Sequence, residues 1–309
     1  VQTCALPICE LVQQGERVAC VVGVFGGAPA GLRCEVTLSP EGRRARADGK
    51  AVTADGGHFR VLPMVLFHPG NMALVQGGPD GRRRFLDRAL YQAQAAYPAT
   101  HRAYNRALAS RNRLLRDRRL DRRALDPFDA QLAEHGARLV RDRARFVERL
   151  APLFAEAYGA IGGAAVEATA SYRPSVEGDA GELLASLAGS IARDRERGYT
   201  TAGPHADDLV LRVGERSARR YASQGQQRSV ALALKIAETR VLTGATGRVP
   251  LLLLDDVSSE LDPERNRRLF EFLEGVGGQV FITTTHRAHI LVGAERADYD
   301  VADGQIRPA

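Results

Sequence analysis

The chain has 309 residues, of which 44% are hydrophobic and 26% charged, with a formal net charge of +6. That length suits roughly two domains with a real core, and the positive balance favours polyanions such as nucleic acid. No apolar run approaches the ~18 residues of a membrane span; the longest, Val249 to Leu254, is strand-sized, so no membrane partner is expected.

Cys4, Cys9, Cys20 and Cys34 lie near the N-terminus without a CxxC pair or a His cluster. They make neither a disulfide framework nor a zinc site, and a reducing cytoplasm fits them. Residues 1–9 lack the basic region and apolar core of a secretion signal and are expected to be a non-native leader. Tryptophan is absent and aromatics make up 6% of the chain, so base stacking is not an evident mode of contact.

In chain order, the β-rich stretch comes first. Strands are expected over 17–22, 33–38 and 61–67, separated by Gly and Pro clusters, with a hairpin turn at Asp48-Gly49. From Asp80 to about Gly159 the pattern becomes helical, with Leu108, Leu115, Leu132, Leu139, Phe146 and Leu150 near one apolar stripe. Asp126-Pro127 splits that region into two helices, expected to pack as an αα-hairpin. Ala164 to Ser171 reads as a strand and Glu182 to Gly198 as a helix. Leu209 to Val213 alternates as a strand, and a helix follows from about Gln226 to Leu242. Leu251 to Asp255 reads as a buried strand, Asp262-Pro263 as the cap of a helix over 264–273, and Gln279 to Thr285 as another buried strand ending at His286. A terminal hairpin turns at Asp303-Gly304.

Four leucines followed by Asp255-Asp256 describe a buried strand tipped with acid. Aspartates are poor strand residues, so the pair is either two solvated acids at a turn or a chemical device. Mg²⁺ takes carboxylate oxygens while bound to phosphates. Asp255 then holds the metal and Asp256 orients or deprotonates an attacking water, as nucleotide hydrolysis requires. Upstream, Ser223-Gln-Gly-Gln-Gln directly precedes a helix. It is a plain helix cap or an anion site built from free N–H groups and the positive dipole end.

The order of these elements resembles the ATP-binding-cassette class of ATPases. Within that class it is similar to the RecF family of recombination ATPases, relatives of the chromosome-maintenance ATPases. Four stretches carry the resemblance: Gly77 to Asp87 (G-x-P-x-x-R-R-x-F-L-D), Gly203 to Leu209 (G-P-H-x-D-D-L), Ser223 to Arg228 (the family's form of the cassette signature) and Leu251 to Asp262 (Walker B and D-loop). The resemblance implies an α/β fold: an ABC-type ATPase head of the P-loop NTPase kind, with an inserted helical arm. It divides the chain into a head part at 10–87, the arm at 88–202 and a second head part at 203–309.

It also implies roles. Asp255 becomes the Walker B aspartate and Asp256 the catalytic carboxylate. Ser223, Gln224, Gly225 and Gln226 touch ATP held by a second subunit. Ser259 and Asp262 sit at the dimer seam, and His286 senses the γ-phosphate. Implied cofactors are ATP and Mg²⁺. Implied partners are gapped or junction DNA, a second copy of the chain, and the RecR and RecO mediators. The chain departs from the family at Pro69-Gly-Asn, at Ala206 in place of an Arg, and in lacking G-x-x-x-x-G-K-[ST], which the family places before Glu10. A missing N-terminal segment is therefore expected.

Between Arg102 and Arg123 stand nine Arg against two acids. A solvated helix face is the ordinary account of such a run; backbone-phosphate binding by Arg111, Arg113, Arg116, Arg118, Arg119, Arg122 and Arg123 is the favoured one. Arg82, Arg83 and Arg84 are open between pairing with head acids and touching DNA. Competing readings are a transporter ATPase subunit and a non-enzymatic DNA-binding fragment.

Overall fold

The computed structural model describes residues 12–26, 31–52, 62–117, 121–162, 166–256, 261–293 and 296–309. The expected leader, Arg118, Arg119 and Ser259 lie outside the described residues.

An antiparallel sheet of β1 (Ala19–Phe25), β2 (Leu32–Ser39), β3 (Gly42–Ala47) and β4 (Lys50–Ala51) comes first. The β3–β4 hairpin turns at Asp48 and Gly49, whose φ angles of 48° and 76° are what a type I′ turn asks of its central pair. Then come β5 (Met64–Phe67), α1 (Met72–Gln76), α2 (Pro79–Ala93), α3 (Tyr97–Leu115) and α4 (Asp126–Gly162). The helical stretch therefore breaks twice. Besides the expected break near Asp126, α2 ends before Gln94 and Pro98 opens α3 in its first turn, where a missing N–H costs nothing. Helices α3 and α4 pack on each other as the expected hairpin.

Next are β6 (Ala168–Arg173), α5 (Ala180–Arg197), β7 (Asp208–Val213), β8 (Arg216–Ser217), α6 (Ala218–Tyr221), α7 (Gln224–Thr246), β9 (Leu251–Asp255), α8 (Pro263–Val276), β10 (Val280–Thr283), β11 (Tyr299–Ala302) and β12 (Gln305–Pro308). Strands β6, β7 and β8 form an antiparallel sheet, and β11 pairs with β12 in the terminal hairpin. Strand β9 lies between β5 and β10, parallel to both. Strand β10 is less buried than its sequence suggests. It is at the edge of this sheet among the described residues, and Phe281 stays 51% exposed.

Helix α7 is the core helix. Its residues are buried on every side from Ser229 through Thr239, and it packs against α4, α1, α2 and β5. All-round burial explains its weak amphipathic pattern. The two charges it carries inside, Lys235 and Glu238, pair with each other one turn apart, and Lys235 Nζ lies 5.6 Å from the Phe85 ring centroid.

Two motifs distant in sequence meet beside this core. Arg82 of α2 donates Nε and Nη2 to Asp208 of β7 at 2.8 and 3.1 Å, and Arg83 donates to the Asp207 carbonyl at 2.8 Å. Arg143 of α4 joins Asp87 (2.8 Å) to Asp207 (3.3 Å) and also donates to the Pro204 carbonyl at 2.7 Å. Tyr97 donates to Asp87 at 2.6 Å; Tyr172 and the Ser175 N–H donate to Asp207. His205 sits between the Tyr104 hydroxyl (2.7 Å) and the Thr200 carbonyl (2.9 Å). Burial lowers its basicity, as suits a neutral ring accepting at Nδ1 and donating at Nε2. Arg82 and Arg83 are thus structural, while Arg84 stays exposed and pairs with Asp80.

Burial alone would raise the Asp87 carboxyl. Hydrogen bonding from His101, the Arg143 charge and the Tyr97 hydroxyl outweigh it and hold the group at about 2. A carboxyl depressed this way adds stability on the order of 2 kcal/mol that is full above its ordinary value near 4 and fades as pH falls towards 2. Asp87→Asn is expected to cost about 3 kcal/mol at neutral pH, because it strands the buried Arg143. It should also flatten the stability curve between pH 4 and pH 2. Urea melts across that range check both effects.

Candidate functional site

Leucine side chains anchor the acid tip. Leu252 and Leu254 of β9 are buried while Asp255, the last strand residue, is exposed. Thr283 at the end of β10 stands in register with Asp255 and donates its hydroxyl to Asp255 Oδ1 at 2.7 Å. Asp256 follows in the left-handed region at φ 46°, its N–H donating to the Thr283 carbonyl at 3.1 Å. A non-glycine residue held there is strained, a feature that gathers at functional sites. Across the sheet, Phe67 pairs with Leu254, so His68 follows beside Asp255. The basicity of His68 is lowered first by burial, then by the charges of Lys235 and Arg88, against the opposing pull of Asp255.

Among the described residues no cluster of three or more His, Cys, Asp or Glu is arranged to hold a metal. One exposed carboxylate steadied by a hydroxyl suits instead a Mg²⁺ that draws its other ligands from phosphate and water.

The second constellation is the start of α7. Ser223 Oγ accepts from the Gln226 N–H at 3.2 Å, and Gln226 Oε1 accepts from the Ser223 N–H at 2.9 Å, a reciprocal capping box. The N–H groups of Gln224 and Gly225 belong to the first turn, which has no intrahelical acceptors. The box consumes the Ser223 oxygen as acceptor and leaves its hydroxyl hydrogen to donate outward.

Arg265, in the first turn of α8, clamps this helix start to Asp262. Its Nε donates to Ser229 Oγ at 2.8 Å, and Ser229 donates on to the Gly225 carbonyl at 3.2 Å. Its Nη1 pairs with Asp262, which also caps α8 by accepting from the Arg265 N–H at 3.0 Å. A Cβ on Gly225 would come within 3.3 Å of the Arg265 guanidinium, so the glycine admits the clamp. His68, beside Asp255, lines a small cavity with Arg228 and Lys235 of α7.

His286 is exposed beyond β10. Its N–H donates to Thr284 Oγ1 at 3.1 Å, and its ring centroid lies 5.3 Å from that of His289. It shares the carboxyl end of the parallel sheet with Asp255.

Arg111 is a correction to the expected nucleic-acid face. It is fully buried, donating Nε to Asp129 at 2.6 Å and Nη1 to Asp194 at 2.7 Å and Thr200 Oγ1 at 2.9 Å. A guanidinium so enclosed cannot meet a phosphate. Its place on the stripe with Tyr104, Ala107 and Leu115 turns it inward, and the two acids it pairs with lie on α4 and α5. Arg113, Arg116, Arg122 and Arg123 are exposed.

Sequence reasoning missed Thr283, His68 and Arg265. The first two follow from strand register. Arg265 had only one signal, its third position after Asp262.

No protein-family model matches the chain. Among curated proteins it is 46% identical over 312 residues to the DNA replication and repair protein RecF of Anaeromyxobacter sp. (strain Fw109-5), covering 97% of this chain and 84% of that protein. It is 42% identical over 311 residues to the RecF of Myxococcus xanthus (strain DK1622), covering 96% and 82%. A solved structure of the recombination mediator protein RecF with ATP, of the RecFOR pathway, superposes with a TM-score of 0.86 at 27% identity over 99% of this chain and 83% of the other. An Smc head bound to the winged-helix domain of ScpA, at 12% identity and a TM-score of 0.51, shares the fold alone over 95% of this chain and 74% of the other. With identities of this order along almost its whole length, the chain belongs to the RecF family of DNA replication and repair proteins.

Proposed function

We propose that this chain is a DNA repair and recombination ATPase that holds ATP and Mg²⁺ between two copies of itself. The observation that carries the reading is the separation of the two half-sites. The acid tip stands at the carboxyl end of β9 with Thr283, while the anion donors stand at the start of α7, which Arg265 ties to Asp262, so metal ligand and anion donors lie on different elements. Two copies in head-to-head symmetry bring the tip of one to the helix start of the other, each supplying what its partner lacks. Family membership and the ATP-bound RecF relative support the nucleotide.

Asp255, steadied by Thr283, holds the metal. Mg²⁺ there supplies charge neutralisation for the phosphates. Asp256 sits one residue further, where a carboxylate can accept the proton of an attacking water. Ser223 and the N–H groups of Gln224 and Gly225 direct donors and the helix dipole at an anion outside the helix end. Asp262 sets the seam through Arg265, and His286 donates from the neighbouring strand end. The phosphate cradle itself needs a G-x-x-x-x-G-K-[ST] segment, and that motif is not in this sequence. Among the described residues no helix is long and apolar enough to cross a membrane, and family membership favours recombination over transport.

The arm supplies DNA contact through Arg113, Arg116, Arg122 and Arg123. The RecFOR pathway named for the solved relative makes RecR and RecO the expected partners.

In a version of the chain preceded by a phosphate-binding loop segment, Asp256→Asn is expected to lower ATP turnover about 100-fold or more while ATP-dependent pairing persists in sedimentation. Turnover that survives the change assigns the base elsewhere. Reversing the charges of Arg113, Arg116, Arg122 and Arg123 together is expected to weaken duplex binding and to reduce its log–log salt slope by about 0.9 per lost phosphate contact. Arg111→Ala is expected instead to lower stability by about 3–5 kcal/mol, the cost of leaving buried carboxylates without their partner. Filter binding and thermal melts separate the two.

A further inference from the structure

A groove of about 770 Å³ opens beside the helix start, between β7, β8 and α6. Its floor is carbon, from Val75, Leu209 and Leu211. Its walls are guanidinium groups. Arg82 is spent on Asp208 at the base, which leaves Arg173, Arg212, Arg216, Arg219 and Arg220 facing one further carboxylate, Glu215. Arg173 approaches Asp208 only at 3.5 Å and stays 69% exposed. Among the described residues no carboxylate pairs with Arg216, Arg219 or Arg220. Tyr221 closes the groove with 64% of its surface exposed, and the Arg216 guanidinium lies 5.9 Å from its ring centroid.

Like charges gathered without counterions repel one another, and a concave wall focuses their field. Such a cluster is stabilised by a polyanion. Guanidinium forks suit phosphate oxygens. The exposed tyrosine adds a demand that a duplex does not meet, because paired bases keep their faces stacked inside the helix. An unpaired base can lie on the ring while its neighbouring phosphates meet the arginines, the arrangement by which single strands are held without sequence preference. We propose that this groove binds single-stranded nucleic acid, with Arg212, Arg216, Arg219 and Arg220 on the phosphates and Tyr221 under a base. The inference rests on the nucleic-acid reading above for its ligand class, and none of the arm arginines lines the groove. Only Ala222 separates Tyr221 from Ser223, so the groove adjoins the cap of α7 without including it.

The test is fluorescence anisotropy of a labelled oligothymidylate with the chain as it stands. Arg216→Glu with Arg219→Glu and Arg220→Glu is expected to lower affinity at least tenfold and to flatten the salt slope by about 0.7 per lost contact. The three Arg→Lys changes should retain most of the binding. Tyr221→Ala is expected to lose about tenfold, from base–aromatic stacking, and Tyr221→Phe less than twofold. Photocrosslinking of a bromodeoxyuridine oligonucleotide to the unaltered chain should mark Tyr221, a readout that does not depend on any variant folding. Four outcomes overturn the proposal. One is no binding of the oligothymidylate at all. A second is binding lost only on charge reversal of Arg113, Arg116, Arg122 and Arg123, which would leave the arm reading standing. A third is equal affinity for a polyglutamate peptide with no effect of Tyr221→Ala, the mark of an acidic protein segment. The fourth is displacement by equimolar ATP, the mark of a mononucleotide pocket.

Discussion

A chain of buried ion pairs, Arg82 with Asp208 and Asp87 with Arg143 and Asp207, decides how the helical part of this protein meets its nucleotide-facing part. Taking such charges out of water is expensive, and only good geometry with further hydrogen bonds repays it. Both conditions hold here. Arg82 is bidentate, and Asp207 collects Tyr172 and the Ser175 N–H besides Arg143. Apolar packing alone could tolerate sliding of α2 or α4 over the core. Directional contacts between α2, α4 and β7 specify one seating. Helix α7 packs against both of those helices, so the same pairs set where its capped start points.

The candidate site is assembled from ends. The carboxyl ends of β9, β10 and β5 bring Asp255, Thr283, His286 and His68 to one rim, the place where ligands gather on parallel sheets. The amino end of α7 presents donors elsewhere. Arg265 then couples that helix start to Asp262 through Ser229 and the Gly225 carbonyl. A shift of Asp262 is therefore felt at the helix start.

The arginines sort into three environments that their spacing in the chain does not distinguish. Arg82, Arg111 and Arg143 are interior and paired. Arg113, Arg116, Arg122 and Arg123 are exposed towards the end of α3 and just before α4. Arg216, Arg219 and Arg220 gather with the exposed Tyr221 around one groove. A net charge of +6 understates this partition. The three interior arginines face five carboxylates, Asp208, Asp129, Asp194, Asp87 and Asp207, so the positive excess lies outside the interior. The scarcity of aromatics leaves stacking on bases without an evident signal in the sequence; the proposed groove relies on one exposed tyrosine set among guanidinium groups.

Local sequence by itself determined the elements whose cause is local. The acid-tipped strand, the Ser223 and Asp262 caps, the Asp48-Gly49 turn and the terminal hairpin all follow from residue type and short spacing, because turns and caps are satisfied within a few residues. The four motifs in their order were enough to place the chain in its family and fold. Only the tertiary structure decided which charges are interior, because Arg111 and Arg113 differ by two positions and by 200° around a helix, and no local rule names Asp194 as a partner. Strand register, which brought Thr283 and His68 to Asp255, and the reach of Arg265 to Ser229 were equally hidden. Such contacts join residues tens to more than a hundred and fifty positions apart, and their geometry exists only once the sheet and the core helix have formed around them.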